Sequence, residues 1–481
     1  MTRDMAVGEH GVTEVVTALQ DRGRFGVRLG LGRTRALLRA LGSPEAGIRG
    51  VLVGGTNGKG SVQAMVGSVL SEGGLRVGQT PKPHLVDYRE RIVIGGRPLA
   101  PADFADVLRA ALSASEVVAR RLGPPTEFEV LTAAAFLAFA RAAVDVAVVE
   151  VGLGGRLDAT NAWDGGVAAV TNVAFDHMEY LGASLAAIGR EKAAIIKRGD
   201  RAVTGASGDG LAALRRRATR VHAPLAEVTP PTVLGMDRRG LRLRFDGLGE
   251  ARLSLLGRHQ ASNAAVAVGI LDALRGSGIA DVSAATTLDG LAATRWPGRL
   301  ELLNLATDGR ARPATTETFT LGTPDVLLDG AHNPAGVAAF LEAFRELRPS
   351  LSPGRATLVL GLMADKDVAG MVGPLASADT LHGARVITTQ VDAPRAMPAA
   401  DLAAAWRSAA DAAADQVVVA SGTIDGALEM AIRSVRTEGG PLLVLGSLYL
   451  VGAIRGRLVE AADASAPRSV MLRGSTVERT G

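Results

Sequence analysis

The amino-acid sequence predicts an α/β protein with two domains, each built on a mainly parallel sheet covered by helices. Apolar runs of strand length alternate with helical patterns along most of the chain, and the alternation restarts beyond a polar segment at 304–320. The chain has 481 residues, which is too long for one ordinary domain. We therefore expect a first domain over residues 1–300 and a second, Rossmann-like domain over 301–481, with roughly the last 17 residues flexible.

The composition excludes several classes of function. Hydrophobic residues make up 47% of the chain and charged residues 21%, so the chain can bury large cores. The net charge is +4 without basic runs, which argues against nucleic-acid binding. Cysteine is absent, which excludes disulfides, thiol catalysis and cysteine-bound metal. No apolar run reaches ~18 residues and the N-terminus lacks the apolar core of a signal peptide, so we expect a cytoplasmic protein without a membrane partner.

The first predicted strand and helix enclose a glycine-rich loop. Residues 50–55, GVLVGG, favour a buried strand. The loop, GGTNGKGS at 54–61, leads into a helix that should end at Gly73 and Gly74. The apolar face of that helix comprises Val62, Met65, Val66, Val69 and Leu70. In this context glycines let backbone N–H groups approach a phosphate, and the helix N-terminus adds partial positive charge.

The loop therefore predicts an ATP site of the P-loop ATPase type. Lys59 would reach the β- and γ-phosphates, and the Ser61 hydroxyl could bind Mg²⁺. The spacing is not the standard one, because Gly60 separates Lys59 from Ser61, and a purely structural turn is the alternative. The residues expected to contact the nucleotide are Gly55, Thr56, Asn57, Gly58, Lys59, Gly60 and Ser61.

Two further strands each deliver one candidate metal ligand. The apolar run at 144–152 has Glu150 near its end, where the carboxylate could bind Mg²⁺ directly or through water. A buried glutamate is costly unless it is paired or coordinated, and an ion pair at the sheet edge is the alternative. The run at 166–177 ends at His177. A single histidine is usually structural, but a strand end beside the phosphate site makes a ligand role an equal alternative.

Lysine is rare in this chain, at five of the 53 basic residues, so each lysine is a candidate for a specific role. Lys192 lies at the apolar–polar border of a helix predicted over 184–199, with Ser184 as its N-cap. A lysine that reaches past apolar neighbours to solvent is the alternative. A primary amine can take up CO₂ as a carbamate, whereas a guanidinium cannot do so in this way. A carbamate would turn this cation into a metal-binding anion.

The remaining elements complete the predicted architecture. Residues 225–256 alternate between polar and apolar with Gly and Pro between them, which predicts a small antiparallel patch inserted in the first domain. The second domain should contain strands separated by helices, one of the helices over 399–414. These strands are predicted at 325–330, 356–363, 385–391, 416–421 and 441–447.

Several ordered segments resemble the folylpolyglutamate synthase/dihydrofolate synthase family, within the Mur ligase superfamily. The resemblance extends from residues 24–44 to residues 445–455, which is nearly the whole chain. Its segments are GGTNGKGSV, PTEFEVLTAAAF, VEVGLGGRLDATN, FDHMEYLGASLAAIGREKAAIIK, LLGRHQASNAAVA, WPGRLE, LLDGAHNPAG, DKD, APRAMP and GSLYLVG.

The resemblance implies roles for individual residues. Lys59 and Ser61 match the family's phosphate-loop lysine and a magnesium ligand. Glu150 matches the glutamate that binds Mg²⁺ between the phosphates, and His177 matches the ligand of a second Mg²⁺. Lys192 matches the lysine that supports that second site as a carbamate. The residues matching those that bind ATP from the interdomain side are Asn263, Arg299, Asp329 and His332.

The resemblance also implies ATP-dependent amide formation by a monomer. A pterin-linked carboxylate, of dihydropteroate or a reduced folate, attacks the γ-phosphate of ATP, and the amine of L-glutamate then displaces phosphate from the acyl phosphate. The protein provides positioning and charge neutralisation and needs no nucleophile of its own. Two alternatives stay open: a paralogue that ligates an amino acid to a different cofactor carboxylate, and an ATP-binding regulator without turnover.

One position departs from the family pattern. Relatives usually have TSPHL in the loop after the first helix, with the serine binding magnesium, whereas this chain has PKPHL with Lys82 at that position. A protonated amine has no lone pair for a metal. Three alternatives stay open. A water or Thr80 could replace the missing metal ligand, or Lys82 could supply positive charge at the γ-phosphate or the substrate carboxylate. Lys82 could also be a solvated lysine without a role. Because lysine is so rare here, we predict a catalytic contact by Lys82.

Overall fold

The computed structural model describes residues 2–25, 28–314, 319–393, 395–410 and 415–459. Within this part of the chain, the predicted fold class is confirmed: two mostly parallel sheets are covered by helices, and a small antiparallel sheet accompanies the first. The C-terminal residues predicted to be flexible lie outside the described residues.

The first sheet has eight strands, and the nucleotide-loop strand is at its centre. The strands are β1 Gly50–Gly54, β2 Val77–Thr80, β3 Val93–Ile94, β4 Arg97–Pro98, β5 Val146–Glu150, β6 Gly166–Val170, β7 Arg201–Thr204 and β8 Leu225–Glu227. Their spatial order is β4-β3-β2-β5-β1-β6-β7-β8, and all neighbours from β2 to β8 pair in parallel. The carboxyl ends of β5 and β6 therefore flank the end of β1, which is where open α/β sheets bind ligands.

Helices cover both faces of the first sheet because its central strands are apolar on both sides. They are α1 Thr2–Gln20, α2 Gly32–Ala40, α3 Lys59–Glu72, α4 Pro101–Leu122, α5 Glu127–Arg141, α6 Met178–Leu181, α7 Leu185–Ala193, α8 Gly208–Val221, α9 Gln260–Gly276 and α10 Ala284–Ala293. Leu52 of β1 packs into the core that includes α4 and α5, while Val51 and Val53 pack into the core that includes α3 and α9. None of the helices in the described ranges combines the length and apolar character needed to cross a membrane.

The predicted antiparallel patch exists but is shorter than the sequence suggested. It has three strands, β9 Thr232–Asp237, β10 Gly240–Phe245 and β11 Gly249–Leu253. Residues 225–227, which we included in the patch, instead pair in parallel at the edge of the first sheet as β8. A three-residue strand is too short for its polar and apolar alternation to distinguish the two sheets.

The second sheet has seven strands and a parallel centre. They are β12 Glu301–Leu305, β13 Ala311–Pro313, β14 Asp325–Asp329, β15 Thr357–Leu360, β16 Arg385–Thr389, β17 Val417–Ser421 and β18 Leu442–Leu445, in the order β13-β12-β14-β18-β15-β16-β17. Its helices are α11 Pro334–Leu347, α12 Val368–Ala376, α13 Ala399–Ala409, α14 Ile424–Glu438 and α15 Leu448–Leu458. The predicted helix 399–414 thus ends at Ala409, and residues 411–414 lie outside the described residues. Part of the polar segment 304–320 forms the antiparallel edge of this sheet.

Two contacts tie the two sheets together and position the site between them. Arg238, in the turn between β9 and β10, donates to the Asp325 carboxylate of β14 over 2.6 Å, and both side chains are fully buried. On the other side, Leu85 of the loop after β2 joins the apolar core formed largely by β14, β18, α14 and α15. A Cβ on Gly452 of α15 would lie 1.8 Å from the Leu85 carbonyl oxygen, so α15 and this loop are in direct backbone contact.

Candidate active site

The glycine-rich loop leaves β1 and turns into α3 at its predicted position. Gly58 is the N-cap of α3 with φ +80°, and the helix begins at Lys59. A Cβ on Gly58 would lie 2.1 Å from Asn263 Oδ1, so only glycine fits both the dihedral angle and the space. Gly60 packs against the Trp296 ring, and a Cβ on Gly60 would lie 2.5 Å from that ring. The glycines thus allow α9 and the segment after α10 to approach the loop.

The segment after β6 holds the loop through polar side chains. Asn57 O accepts from Thr171 Oγ1 at 2.6 Å and from Asn172 Nδ2 at 3.2 Å, while Asn57 N donates to Asn172 Oδ1 at 3.0 Å. Thr56 Oγ1 donates to Ala174 O and accepts from Ala174 N. These bonds fix the backbone of the loop, so its N–H groups are preorganised for an anion.

Lys59 and Lys192 converge on one carbonyl of the loop. Lys59 Nζ donates to Gly55 O at 3.1 Å and to Thr56 O at 3.0 Å, and Lys192 Nζ donates to Gly55 O at 3.0 Å. Burial, and then the neighbouring charge of Lys59, lower the pKa of Lys192 to about 7, against an opposing effect of Asp176. A substantial neutral fraction of this amine is therefore present near neutral pH, as carbamate formation requires.

Glu150 ends β5, as predicted, and is 4% exposed. Its Oε2 atom accepts from Lys82 N at 3.2 Å, and its own backbone N donates to Thr80 Oγ1 at 3.1 Å. Burial raises the pKa of Glu150, while the cations Lys59, Lys82 and Arg299 lower it. A buried carboxylate whose pKa responds to several cations is a candidate functional group.

Lys82 lies beside Glu150 and is held by groups without a net charge. Its ammonium donates to the backbone carbonyl of Glu150 and lies 4.2 Å from the centre of the Phe128 ring. Burial lowers the pKa of Lys82 to about 8, although Asp158 and Glu150 oppose the shift. Lys82 is therefore not a solvated lysine of the loop surface.

The hydroxyl of Ser61 is buried and connected to α9. Gln260 Nε2 donates to Ser61 Oγ at 3.3 Å, and Asn263 Nδ2 donates to Gln260 Oε1 at 2.8 Å. We predicted Ser61 and Asn263 as nucleotide contacts but did not single out Gln260, Trp296 or Phe128. Gln260 and Trp296 lie in two segments that resemble the family, LLGRHQASNAAVA and WPGRLE. An amide or an indole alone, however, does not indicate a phosphate site.

His177 is placed differently from the sequence prediction. The strand predicted to reach it ends at Val170, and His177 caps the short helix α6 with φ +47°. Its imidazole is half exposed and lies 3.7 Å from Asp176 and 3.9 Å from Glu179. The described part of the chain contains no group of three or more His, Asp or Glu side chains placed to share one metal ion. Magnesium binding by Ser61, Glu150 and His177 therefore stays a prediction.

Three of the predicted interdomain residues, Arg299, Asp329 and His332, lie near the end of β14. The Asp329 carboxylate accepts from the backbone N–H groups of Leu300 and Ala331, each at 2.8 Å. Burial lowers the pKa of Arg299, while the charges of Asp329 and Glu150 raise it. Arg299 Nη1 would lie 2.7 Å from a Cβ on Gly330, so its guanidinium lies beside the end of β14. His332 Nδ1 lies 2.9 Å from Gly330 O.

Two family models match the chain. Residues 105–271 match the Mur ligase middle domain, and residues 316–448 match the Mur ligase, glutamate ligase domain. The dihydrofolate synthase/folylpolyglutamate synthase of Bacillus subtilis is 34% identical over 92% of this chain and 99% of its own length. The enzyme of that name from Mycobacterium tuberculosis is 36% identical over 78% of this chain and 77% of its own length.

Solved structures show the same similarity in three dimensions. A crystal structure of the Mycobacterium tuberculosis folylpolyglutamate synthase complexed with ADP and AMPPCP has a TM-score of 0.78 and 31% identity, over 94% of this chain and 99% of that one. Escherichia coli FolC in complex with DHPP and ADP has a TM-score of 0.73 and 28% identity, over 92% of this chain and 96% of that one. The chain belongs to the dihydrofolate synthase/folylpolyglutamate synthase family of Mur ligases.

Proposed function

We propose that this protein is an ATP-dependent carboxylate–amine ligase that adds L-glutamate to a pterin-linked carboxylate. The acceptor is dihydropteroate, which becomes dihydrofolate, or a reduced folate, which gains a glutamate. The observation that carries the proposal is the placement of the glycine-rich loop after β1 beside the buried Glu150 at the end of β5, in a chain of this family. The named relatives, and the ADP and DHPP in the FolC structure, agree with this assignment.

The residues of the loop fit a nucleotide triphosphate. The backbone of 55–60 is fixed by hydrogen bonds from the segment after β6, and α3 directs its N-terminus at the same place. The Lys59 ammonium is bonded to loop carbonyls and lies close enough to the loop to pair with a phosphate. Asn263, Arg299, Asp329 and His332 would bind the nucleotide from the opposite side.

The hydroxyl, carboxylate and imidazole groups predicted as ligands are types that can bind magnesium, and the second site also depends on carbamylation of Lys192. Ser61 and Glu150 would hold one ion, and His177 would hold a second beside a carbamylated Lys192. Magnesium supplies neutralisation of phosphate charge when it is bound. Glu150 is preorganised for this role, because its backbone is paired with Thr80 and its side chain with Lys82 N.

The reaction requires two displacements on the substrates. An oxygen of the acceptor carboxylate bonds to the γ-phosphorus while the bond between that phosphorus and ADP breaks. The glutamate amine then bonds to the acyl carbon, loses a proton to solvent, and expels phosphate. The chain contributes positioning and cations, with Lys59 and Arg299 stabilising charge on the transferring phosphoryl group.

We propose a division of the chain near residue 300, with 1–300 and 301–481 as domains. The second sheet begins at Glu301, which supports this division. Arg299 precedes the boundary and Asp329 follows it, so closure of the domains would complete the ATP site. We also propose a monomer in the cytoplasm.

Phosphate release in a panel of acceptors tests the function. Purified protein is supplied with ATP, Mg²⁺ and L-glutamate, together with dihydropteroate, tetrahydrofolate, a folate diglutamate or no acceptor. We expect release that requires both glutamate and a pterin acceptor, and none from Lys59→Ala. Release only with a different carboxylate would indicate the paralogue, and ATP binding without any release would indicate the regulator.

A further inference from the structure

The Lys82 ammonium has a fixed position and an unpaired charge. This ammonium contacts the Glu150 carbonyl and the face of the Phe128 ring, neither of which carries a net charge. Among the described residues, no carboxylate forms an ion pair with Lys82 within 4.0 Å. A cation–π contact holds an ammonium in place without neutralising it. The geometry is therefore that of a cation prepared for an anionic ligand.

Asp158, one of the two carboxylates whose charges act on Lys82, is already bonded elsewhere. Asp158 Oδ2 accepts from Gly152 N and Leu153 N, and its Oδ1 accepts from Thr160 N and Thr160 Oγ1. Both oxygens of Asp158 are thus committed to the local turn, and Asp158 affects Lys82 only at longer range. No rearrangement of this turn is required for Lys82 to bind a ligand.

The strand order shows on which side of Glu150 each lysine lies. Lys59 follows β1, Glu150 ends β5 and Lys82 follows β2, and these strands are neighbours in the order β2-β5-β1. Adjacent strands lie about 4.8 Å apart, so Glu150 separates the two lysines across the sheet. Lys59 is on the side of the phosphate loop. Lys82 is on the other side, toward Phe128.

We propose that Lys82 binds the carboxylate of the acceptor that receives the phosphoryl group, and that it selects an anionic acceptor. This inference rests on the proposed function. An ion pair to one carboxylate oxygen would leave the other oxygen directed past Glu150 toward the phosphates. The same contact reduces the repulsion between two anions that must approach each other. The triphosphate itself has Lys59 and the loop N–H groups on its own side.

Binding measurements with a matched pair of ligands test this proposal. Full-length enzyme with AMPPCP and Mg²⁺ is titrated with dihydropteroate and with its uncharged carboxamide analogue, by calorimetry. The variants are Lys82→Met, which keeps an unbranched apolar stem over Phe128, Lys82→Gln as a second neutral variant, and Lys82→Arg, which keeps the charge. Thermal unfolding verifies that each variant folds.

We expect the wild type to prefer the carboxylate and both neutral variants to lose that preference. A charge-assisted contact corresponds to a loss of about 10- to 100-fold in affinity for dihydropteroate, with no loss for the carboxamide. The KM for dihydropteroate should rise by a similar factor, the KM for ATP should change by less than about twofold, and Lys82→Arg should restore part of the preference.

Other outcomes would overturn the proposal in identifiable ways. A higher KM for ATP or a higher Mg²⁺ requirement, with the carboxylate preference intact, would place Lys82 on the triphosphate. Unchanged constants in both neutral variants would show that Lys82 has no role in substrate binding. Failure of the proposed function is a separate result, because it would appear as wild-type enzyme that releases no phosphate with any pterin acceptor.

Discussion

Arg238 and Asp325 form a fully buried ion pair that joins the antiparallel patch to the first parallel strand of the second sheet. Asp325 also accepts from Asn304 Nδ2 at 2.8 Å and from Ser352 N at 2.7 Å, and Arg238 donates to Ser350 O. The pair therefore belongs to a network that crosses between the two sheets. Removing one partner leaves a charge buried without compensation.

Arg238→Ala should destabilise the protein strongly. We expect a loss of about 3–5 kcal/mol in the free energy of unfolding, measured by chemical denaturation. The double variant Arg238→Met with Asp325→Leu should cost less than the two single changes added together, because it buries no unpaired charge. Arg215→Ala, which removes an exposed ion pair with Glu227, is the matched control and should cost far less, because solvent screens that pair. Equal losses in Arg238→Ala and Arg215→Ala would refute the role of burial.

Lys59→Ala should abolish turnover while leaving the fold intact. Loss of a charge on the transferring phosphoryl group typically lowers kcat by about 100- to 1000-fold. Steady-state phosphate release measures this effect, and calorimetry with ADP should show weaker binding. Arg433→Ala, which removes an exposed ion pair with Glu429 on α14, serves as a comparison. A Lys59→Ala enzyme with more than a tenth of the wild-type kcat would contradict the phosphate role of the loop.

The low pKa of the Lys192 amine predicts that the stability of the protein depends on pH. Its pKa is about 7 in the folded chain against 10.5 when unfolded, so the unfolded state holds one more proton between these pH values. The free energy of unfolding should therefore rise with pH across this window, by at most about 1.4 kcal/mol per pH unit. Denaturation of wild type and Lys192→Met, both in CO₂-free buffer at pH 6 to 10, isolates this contribution.

The test compares the free energy of unfolding of the wild type with that of Lys192→Met at each pH. The wild type should become more stable relative to Lys192→Met as the pH rises above about 7, because the buried amine then no longer carries a charge that opposes burial. Parallel curves for wild type and Lys192→Met would show that the amine is not desolvated as the structure indicates. Addition of bicarbonate and Mg²⁺ should then stabilise only the wild type if the carbamate forms.

Gly452→Ala should disturb the site from a distance. The new Cβ would lie 1.8 Å from Leu85 O, so either α15 or the loop that carries Lys82 must move. We expect lower thermal stability and a fall in kcat/KM for the acceptor of at least about tenfold. Gly456→Ala, one turn along α15, is a matched control because its Cβ would meet the Val86 side chain, no nearer than 3.2 Å. Similar behaviour of the two variants would exclude a specific contact at Gly452.

The local parts of the site could be predicted from sequence because neighbouring residues determine them. The loop at 54–61 was placed correctly, since apolar periodicity fixes β1 and α3 on either side. The strand expected to reach His177 was too long for a physical reason. Residues 173–175 are apolar and suggest that the strand continues, but the side chains of the preceding Thr171 and Asn172 bond to the Asn57 backbone of the loop.

The long-range contacts could not be predicted from a single sequence. Lys82 and Phe128 are far apart along the chain and meet because α5 packs against β2, which the loop carrying Lys82 follows. No sequence pattern around either residue indicates that it contacts the other. The same holds for Arg238 and Asp325, whose contact depends on how a turn of one sheet meets a strand of another.

The contact between Leu85 and Gly452 has a consequence for the order in which substrates bind. Leu85 follows Lys82 by three residues and is packed in the core beside α15, whereas the loop at 54–61 is held mainly by residues of the first domain. A form with separated domains would keep its phosphate loop and the contacts of Lys82 with Glu150 and Phe128, but the loop that follows Lys82 would lose its packing at Leu85. We therefore expect ATP to bind first to either form, and the acceptor to bind second and more tightly to the joined form.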